Sequence, residues 1–334
     1  MKAIILKQLG SIDNFALTET DTPQINDNDV LVKIHATAFN PIDYQMRSGA
    51  NESKRIHSPI LGREFSGIVA KKGRSVRDFE TGDAVFCASG SMGSNGTYAE
   101  YISVPQQILA KKPANLSFDE AAALPISALT AIQCCNRLKM SPEESVFISG
   151  GAGGVGGILI KLLLSQGITK IVTTAGNAES RQQLINAGLT DTRIIDYNAA
   201  NVIPSIIRAN NNQLFDYVID LVGRRMSELC SNIVRLNGTY VDVTNFTTEE
   251  ARENLFNIGA VIMNISNYAY SLKGNFSYYG ELLERIRSLV EKGTITPCPI
   301  NVLGNISVET VKKAHVMLEN NETRGHKLIM RISE

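Results

Sequence analysis

The residues best placed to do chemistry in this chain are glycines. Gly151, Gly153 and Gly156 fall in the spacing G-x-G-x-x-G within Gly150-Gly151-Ala152-Gly153-Gly154-Val155-Gly156-Gly157. In such a motif the first glycine permits a tight turn. The second lets backbone amides approach a pyrophosphate, and the third lets a helix pack closely on a strand. The helix that follows offers unpaired N–H groups and a partial positive charge to the phosphates. A bare glycine motif is weak evidence, because a flexible turn carries the same letters. Here the flanks decide. Val146-Phe147-Ile148 reads as a buried strand before the turn, and Ile158–Leu164 reads as a buried helix after it, with Lys161 its only charge. The pattern predicts a dinucleotide held by Gly151, Ala152, Gly153, Gly154, Val155 and Gly156.

The next strand bears on which dinucleotide. An NAD site usually places Asp or Glu about 20 residues past the glycines to bind the ribose 2′-hydroxyl. Here Ile171-Val172-Thr173-Thr174 ends in Ala175-Gly176-Asn177, with no carboxylate. Glu179 comes later, in what reads as a first helical turn, where an acid is favoured anyway. Arg181 follows, and its forked donors suit a 2′-phosphate. These features predict NADPH, with Ala175, Gly176 and Arg181 at its adenosine end. The plain alternative for Arg181 is a solvated helix residue.

Length and composition bound the rest. The 334 residues suffice for two domains. Lys+Arg and Asp+Glu are equal at 33 each, which leaves no basic footprint for nucleic acid or an anionic membrane. No apolar run approaches the length of a membrane span, and the opening segment Met1–Lys7 reads as a first strand rather than a signal sequence. Five scattered cysteines, Cys87, Cys134, Cys135, Cys230 and Cys298, form no C-x-x-C. They suggest reduced thiols and a cytoplasmic protein.

The elements that must position these residues follow two patterns. Up to about residue 112 the chain reads as short strands and turns: 3–6, 29–36, 67–71, 84–87, 99–104 and 108–111. That suggests an antiparallel, barrel-like domain. Residues 116–138 read as one helix, with Asn115 or Ser117 as its cap and Glu120 three residues after Ser117. From Ser145, strands at 145–149, 170–174, 193–196, 215–220, 238–243 and 261–265 alternate with helices at 158–165, 179–186, 201–208, 226–233 and 248–256. Six parallel strands with five crossovers fit a doubly wound α/β sheet. Helices at 280–292 and 308–320 and a strand at 327–332 close the chain.

Read together, several segments resemble the medium-chain dehydrogenase/reductase superfamily, in its zinc-free, zeta-crystallin-like quinone oxidoreductase branch. They are Ala38-Phe39-Asn40-Pro41-Ile42-Asp43, Leu61–Val69, Gly96-Thr97-Tyr98-Ala99-Glu100-Tyr101, Asp119–Pro125 with Leu129-Thr130-Ala131, Gly150–Gly156 and Phe215–Gly223. The resemblance implies a GroES-like, mostly β catalytic domain from residues 1–115 and 278–334. It implies a Rossmann domain from 116–277, an active site in the cleft between the two, and a homodimer. It places Asn40 near the nicotinamide ribose and Tyr197 beside the adenosine phosphate.

Zinc-dependent members of that superfamily hold their metal with cysteine and histidine, which tetrahedral zinc favours. At those places this chain reads Asn40-Pro41-Ile42-Asp43 and Gly62-Arg63-Glu64, and Ala88–Asn95 contains no cysteine. His35 and His57 lack ligand spacing and read as surface or turn residues, while Glu64 should pair with Arg63 or another cation. No metal is expected. Without a Lewis acid, a conjugated carbonyl or a quinone is an easier hydride acceptor than a simple ketone, since the protein mainly positions reactants and excludes water. The expectation is therefore hydride transfer from NADPH to a small quinone or α,β-unsaturated carbonyl. Thr130 would help hold the nicotinamide side, and Val222, Gly223, Val243 and Thr244 would wall the pocket at the ends of their strands. Tyr44 would donate a hydrogen bond to the substrate oxygen, or else serve in packing, since many relatives carry their tyrosine where this chain has Gln45. An enoyl-thioester or 2-enone reductase, and a non-catalytic NADPH-binding redox sensor, are the alternatives.

Overall fold

The computed structural model describes residues 1–333. In chain order the first segment carries β1 (Lys2–Leu6), β2 (Phe15–Glu19), β3 (Asp29–Ala38), α1 (Pro41–Ser48), β4 (Phe65–Lys72), β5 (Ala84–Cys87), β6 (Tyr101–Pro105), β7 (Leu109–Lys111), α2 (Phe118–Ala122) and α3 (Pro125–Arg137). The middle segment alternates β8 (Val146–Ile148), α4 (Gly154–Ser165), β9 (Ile171–Ala175), α5 (Ala178–Asn186), β10 (Ile194–Asp196), α6 (Val202–Ala209), β11 (Phe215–Asp220), α7 (Arg225–Ser231), β12 (Val234–Asp242), α8 (Glu249–Asn257) and β13 (Val261–Asn264). The last segment carries α9 (Tyr268–Leu272), α10 (Ser277–Glu291), β14 (Ile300–Asn305), α11 (Val308–Glu319) and β15 (Lys327–Arg331). The chain forms two compact units, Met1–Leu129 with Ala269–Glu334, and Thr130–Tyr268.

The Thr130–Tyr268 unit is a doubly wound α/β domain. Its sheet runs β10-β9-β8-β11-β12-β13, with every pair parallel. Parallel neighbours need crossovers, and α4 to α8 supply them. Strands covered on both faces read as continuous apolar runs, and every residue of β8 and β9 is buried. Phe147, Val172, Phe215, Val218, Tyr240 and Leu255 share one core cluster. Because the order reverses between β8 and β11, the carboxyl ends of β8 to β12 form one edge at a switch point, where such sheets take their ligands.

In the other unit, β14-β15-β3-β4-β5-β7 form one sheet, with β6 also paired to β3. All its pairs are antiparallel except β14–β15. A separate antiparallel ribbon joins β1 and β2. Among the described residues, no helix is long and apolar enough to cross a membrane.

The structure departs from the sequence reading at definite places. The single helix expected over 116–138 is two, because Pro125 has no N–H to continue the ladder of α2. Ser117 is the cap, in a reciprocal box with Glu120. Helix α4 begins at Gly154 rather than 158, so glycines make up most of its first turn. The segment after Asn40, which reads as a turn, is helix α1 with Pro41 in its first turn, where a missing N–H costs nothing. Strands β2 and β14 and helix α9 carry too little periodicity to be read from sequence.

The glycine turn is built by contact. A Cβ on Gly151 would lie 2.2 Å from Thr173 Oγ1, and one on Gly156 would lie 2.5 Å from the Gly150 carbonyl oxygen. Thr173 cannot swing aside cheaply, since its buried hydroxyl donates to the Ile148 carbonyl at 2.6 Å. Gly151→Ala should therefore cost about 1–3 kcal/mol through overpacking and lower the calorimetric Tm by about 2–10 °C. Gly153→Ala, whose nearest neighbour would be 3.2 Å away, should cost clearly less. Equal losses would show that the contact does not set the turn.

Candidate active site

The sheet edge of the Thr130–Tyr268 unit gathers most of the residues that the sequence singles out. Gly151–Gly156 follow β8, Ala175 and Gly176 end β9, and Tyr197 follows β10. Val222 and Gly223 follow β11, and Val243 and Thr244 follow β12. At the glycine turn, Gly157 N–H is bonded to the Gly153 carbonyl, so the N–H groups of Gly154, Val155 and Gly156 have no helical acceptor. Gly153 caps α4 without a side chain, and a Cβ there would meet one atom at 3.2 Å. Two glycines are thus closed by packing, while a Cβ on the middle one would press only on the Gly150 carbonyl, and three donors follow it. The cradle fits a pyrophosphate.

The end of β9, where the sequence reading puts the adenosine, is shaped by another close approach. A Cβ on Gly176 would lie 2.1 Å from the Tyr197 hydroxyl, and Asn198 Nδ2 donates to the Gly176 carbonyl at 3.1 Å. Asn177 caps α5 through Ser180 N–H. Arg181 lies on α5 but turns away from this end. Its guanidinium donates to the Asp191 carboxylate at 2.6 Å, to the Asp191 carbonyl at 3.0 Å and to the Ile194 carbonyl at 2.8 Å. To meet a 2′-phosphate it would have to leave Asp191, an exposed partner on the surface.

The loops after β11 and β12 touch each other. Gly223 has φ +74, and a Cβ there would lie 2.4 Å from Thr244 Oγ1. Arg224 follows with φ 55, a conformation a side chain resists, held by its N–H to the Phe246 carbonyl at 2.7 Å. Thr130 is buried on α3, where its hydroxyl accepts from Asn267 Nδ2 at 2.9 Å.

In the other unit, Asn40 stands in a buried polar cluster that the sequence only half reveals. Lys327 Nζ reaches Asn40 Oδ1 at 2.5 Å, Glu64 Oε1 at 2.7 Å and Ser127 Oγ at 3.4 Å. Asn40 Nδ2 donates to Glu64 Oε1 at 2.8 Å, and Ile126 N–H donates to Glu64 Oε2 at 2.7 Å. The Asn40 amide is thereby fixed in orientation, oxygen to lysine and nitrogen to carboxylate. Of the two partners expected for Glu64, a neighbouring arginine or another cation, it takes the second. Lys327 is the residue that sequence reasoning missed. Its signal is a charge at the head of a strand that is otherwise buried almost to its end.

Tyr44 is half-buried on α1, and its hydroxyl has no protein partner among the described residues. His35 stacks on Phe118 at 4.3 Å, and His57 Nε2 lies 3.0 Å from the Gly93 carbonyl. Among the described residues, no three His, Cys, Asp or Glu converge as a metal site. Arg63 is buried, close enough to Asp43 to bias its charge.

Comparison with known proteins fits this arrangement. Residues 26–114 match the alcohol dehydrogenase GroES-like domain family, and residues 154–288 match the zinc-binding dehydrogenase family. The 2-methylene-furan-3-one reductase of Solanum lycopersicum is 30% identical, over 98% of this chain and 79% of its own. The chloroplastic NADPH-dependent alkenal/one oxidoreductase of Arabidopsis thaliana is 27% identical, over 97% and 78%. The solved quinone oxidoreductase of Coxiella burnetii superposes with a TM-score of 0.83 at 28% identity, over 99% of each chain. The chain belongs to the medium-chain dehydrogenase/reductase superfamily. Its fold is the one that family carries, a Rossmann-like parallel sheet with a GroES-like domain.

Beside Asn40 lies a titrating pair that makes opposite demands on pH. Asp43 is fully buried, and burial pushes its carboxyl up to about 6, against the Asn40 N–H and the charge of Arg63, which pull it down. Burial also lowers His315, whose Nε2 lies 3.3 Å from the Tyr98 hydroxyl, to about 3. An acid whose folded pKa exceeds its unfolded value binds its extra proton in the folded state. Its contribution to stability therefore falls as pH rises from about 4 to about 6. A base with a lowered folded pKa does the reverse, so His315 adds stability as pH rises from about 3 to about 6.5. The two offset each other in the wild type. Asp43→Asn should gain on the wild type by up to about 3 kcal/mol between pH 4 and pH 7, read by denaturant unfolding across pH. A difference that does not change with pH would show that Asp43 ionises in the folded state as it does in water.

Proposed function

We propose that this chain is an NADPH-dependent oxidoreductase that passes hydride to a quinone or an α,β-unsaturated carbonyl without a bound zinc ion. The observation that carries the reading is the glycine turn, closed by packing at Gly151 and Gly156 and less crowded at Gly153, with three free helical N–H groups after it, on the switch-point edge of a parallel sheet. The activities for which the Solanum and Arabidopsis relatives and the Coxiella enzyme are named point the same way. Against zinc stands the chemistry of the residues where the metal-bound relatives would keep ligands. Asn40 is tied to Lys327 and Glu64, and Arg63 is a cation.

In this reading the amides of Gly154, Val155 and Gly156 hold the pyrophosphate, with Gly151, Ala152 and Gly153 shaping the turn. Ala175, Gly176 and Tyr197 bound the adenosine end. NADPH is favoured over NADH because no carboxylate stands at the end of β9, with Arg181 exchanging Asp191 for the 2′-phosphate. When bound, the reduced nicotinamide supplies hydride. The protein's own part is to orient it through Asn40, Thr130 and the backbone at Val222, Gly223, Val243 and Thr244, and to keep water out. In this reading the Tyr44 hydroxyl would donate to the substrate oxygen, where charge develops as hydride adds. Outer strand β13 leaves one edge unpaired, with Val261 and Ile262 exposed, and we read it as the place where a second copy joins.

Purified protein should oxidise NADPH with an ortho-quinone, a para-quinone or an enone at least tenfold faster than NADH. It should carry no stoichiometric zinc, and chelators should leave its rate unchanged. Equal use of NADH would remove the Arg181 assignment, and inertness toward all three acceptors would remove the acceptor class.

A further inference from the structure

Two carboxylates at the sheet edge have no part in the functions assigned so far. Asp220 and Asp242 end adjacent strands β11 and β12 as register partners, 0% and 5% exposed. Asp220 Oδ1 accepts from Ser149 Oγ at 2.7 Å, Val222 N–H at 3.0 Å and Gly223 N–H at 2.9 Å. Its Oδ2 accepts from the Tyr240 hydroxyl at 2.9 Å. Asp242 Oδ1 accepts from Thr244 N–H at 2.9 Å and Asn245 N–H at 2.7 Å, and its Oδ2 accepts from Thr247 Oγ1 at 2.6 Å. Ser149 also takes the Leu221 N–H at 2.9 Å, which joins the strand before the glycine turn to the loop after β11.

Every one of these partners is neutral. Neither carboxylate has an ion pair among the described residues, and Arg224 on the same loop lies over the Phe246 ring. Holding the loops does not by itself call for charge. An asparagine would accept the N–H donors on its one oxygen and donate from its amide nitrogen to the Tyr240 or Thr247 hydroxyl, which can turn to accept, and it would avoid the cost of taking an ion out of water. Two negative charges therefore sit behind the residues proposed to wall the nicotinamide, weakly screened by the buried surroundings. The reduced ring is neutral, and once hydride departs it is a cation.

We propose that Asp220 and Asp242 are positioning residues whose charge favours the oxidised coenzyme over the reduced one, and so promotes departure of the hydride. The inference rests on the reading that the loops after β11 and β12 face the nicotinamide. Dissociation constants for NADPH and for NADP+ test it, measured on wild type, Asp220→Asn, Asp242→Asn and Tyr240→Phe, each first checked for folding by thermal melting. In the asparagine variants NADP+ should bind about fivefold or more weaker while NADPH stays within about twofold. Tyr240→Phe removes a hydrogen bond but keeps both charges, and its ratio of the two constants should match the wild type. An unchanged ratio in the asparagine variants would overturn the proposal, as would an equal shift in Tyr240→Phe. Each asparagine variant serves alone if the other does not fold. A wild-type chain that binds neither form would remove the coenzyme reading itself, and this inference with it.

Discussion

A carboxylate taken out of water costs several kcal/mol unless donors inside the protein replace its hydration. That constraint organises both units. Glu64, Asp43, Asp220 and Asp242 are all buried, and each fixes in place the groups that donate to it, although Asp43 Oδ1 is left without a hydrogen bond. Glu64 draws in Lys327 Nζ, Asn40 Nδ2 and the Ile126 N–H, and so joins β15, the start of α1 and α3. Asp43 holds the Asn40 N–H at the head of α1. Asp220 and Asp242 gather the N–H groups of the loops that follow them. The side chains and loops that matter most are thus anchored by the protein's most demanding acceptors, and not by apolar packing alone.

The polar anchors rest on an apolar frame of two kinds. In the doubly wound unit, Phe147, Val172, Phe215 and Tyr240 pack between sheet and crossover helices, which makes the sheet edge rigid enough to present loops. In the other unit, long strand β3 pairs with β4, β6 and β15, and its last residues Ala36 and Ala38 pack with Ala122, Ala123 and Ile329. Small side chains there let α2 lie close to the sheet. Glu64, just before β4, and Lys327, at the start of β15, meet beyond this seam, from the two strands that flank β3.

The doubly wound half was legible because its signals are local. Buried parallel strands are unbroken apolar runs, and turns between them are marked by glycine or a capping side chain such as Asn177 or Thr248. The boundary errors have equally local causes. Glycine has a poor intrinsic preference for helix, so the first turn of α4 read as loop until tertiary contact at Gly156 fixed it. What sequence could not give was partnership across distance. Lys327 meets Asn40 and Glu64 from the far end of the chain. Arg181 stands at the spacing a phosphate clamp would want, yet Asp191, ten residues on, has its guanidinium. The aspartates of β11 and β12 look like ordinary strand ends until the loops they gather are seen.

The contact between Gly151 and Thr173 carries a consequence for how such a protein can diverge. Residue 173 is the wall against which the turn is pressed, and its hydroxyl closes the ladder onto Ile148. Drift at position 173 toward a larger side chain has no slack to consume, and drift toward one without a hydroxyl loses the bond to the Ile148 carbonyl. Of the turn's non-glycine residues, Ala152 and Val155 are only part-buried, so neither is held by a wall of this kind. A change at position 173 would therefore be felt first at the glycine turn, two strands' width of contact condensed into one side chain.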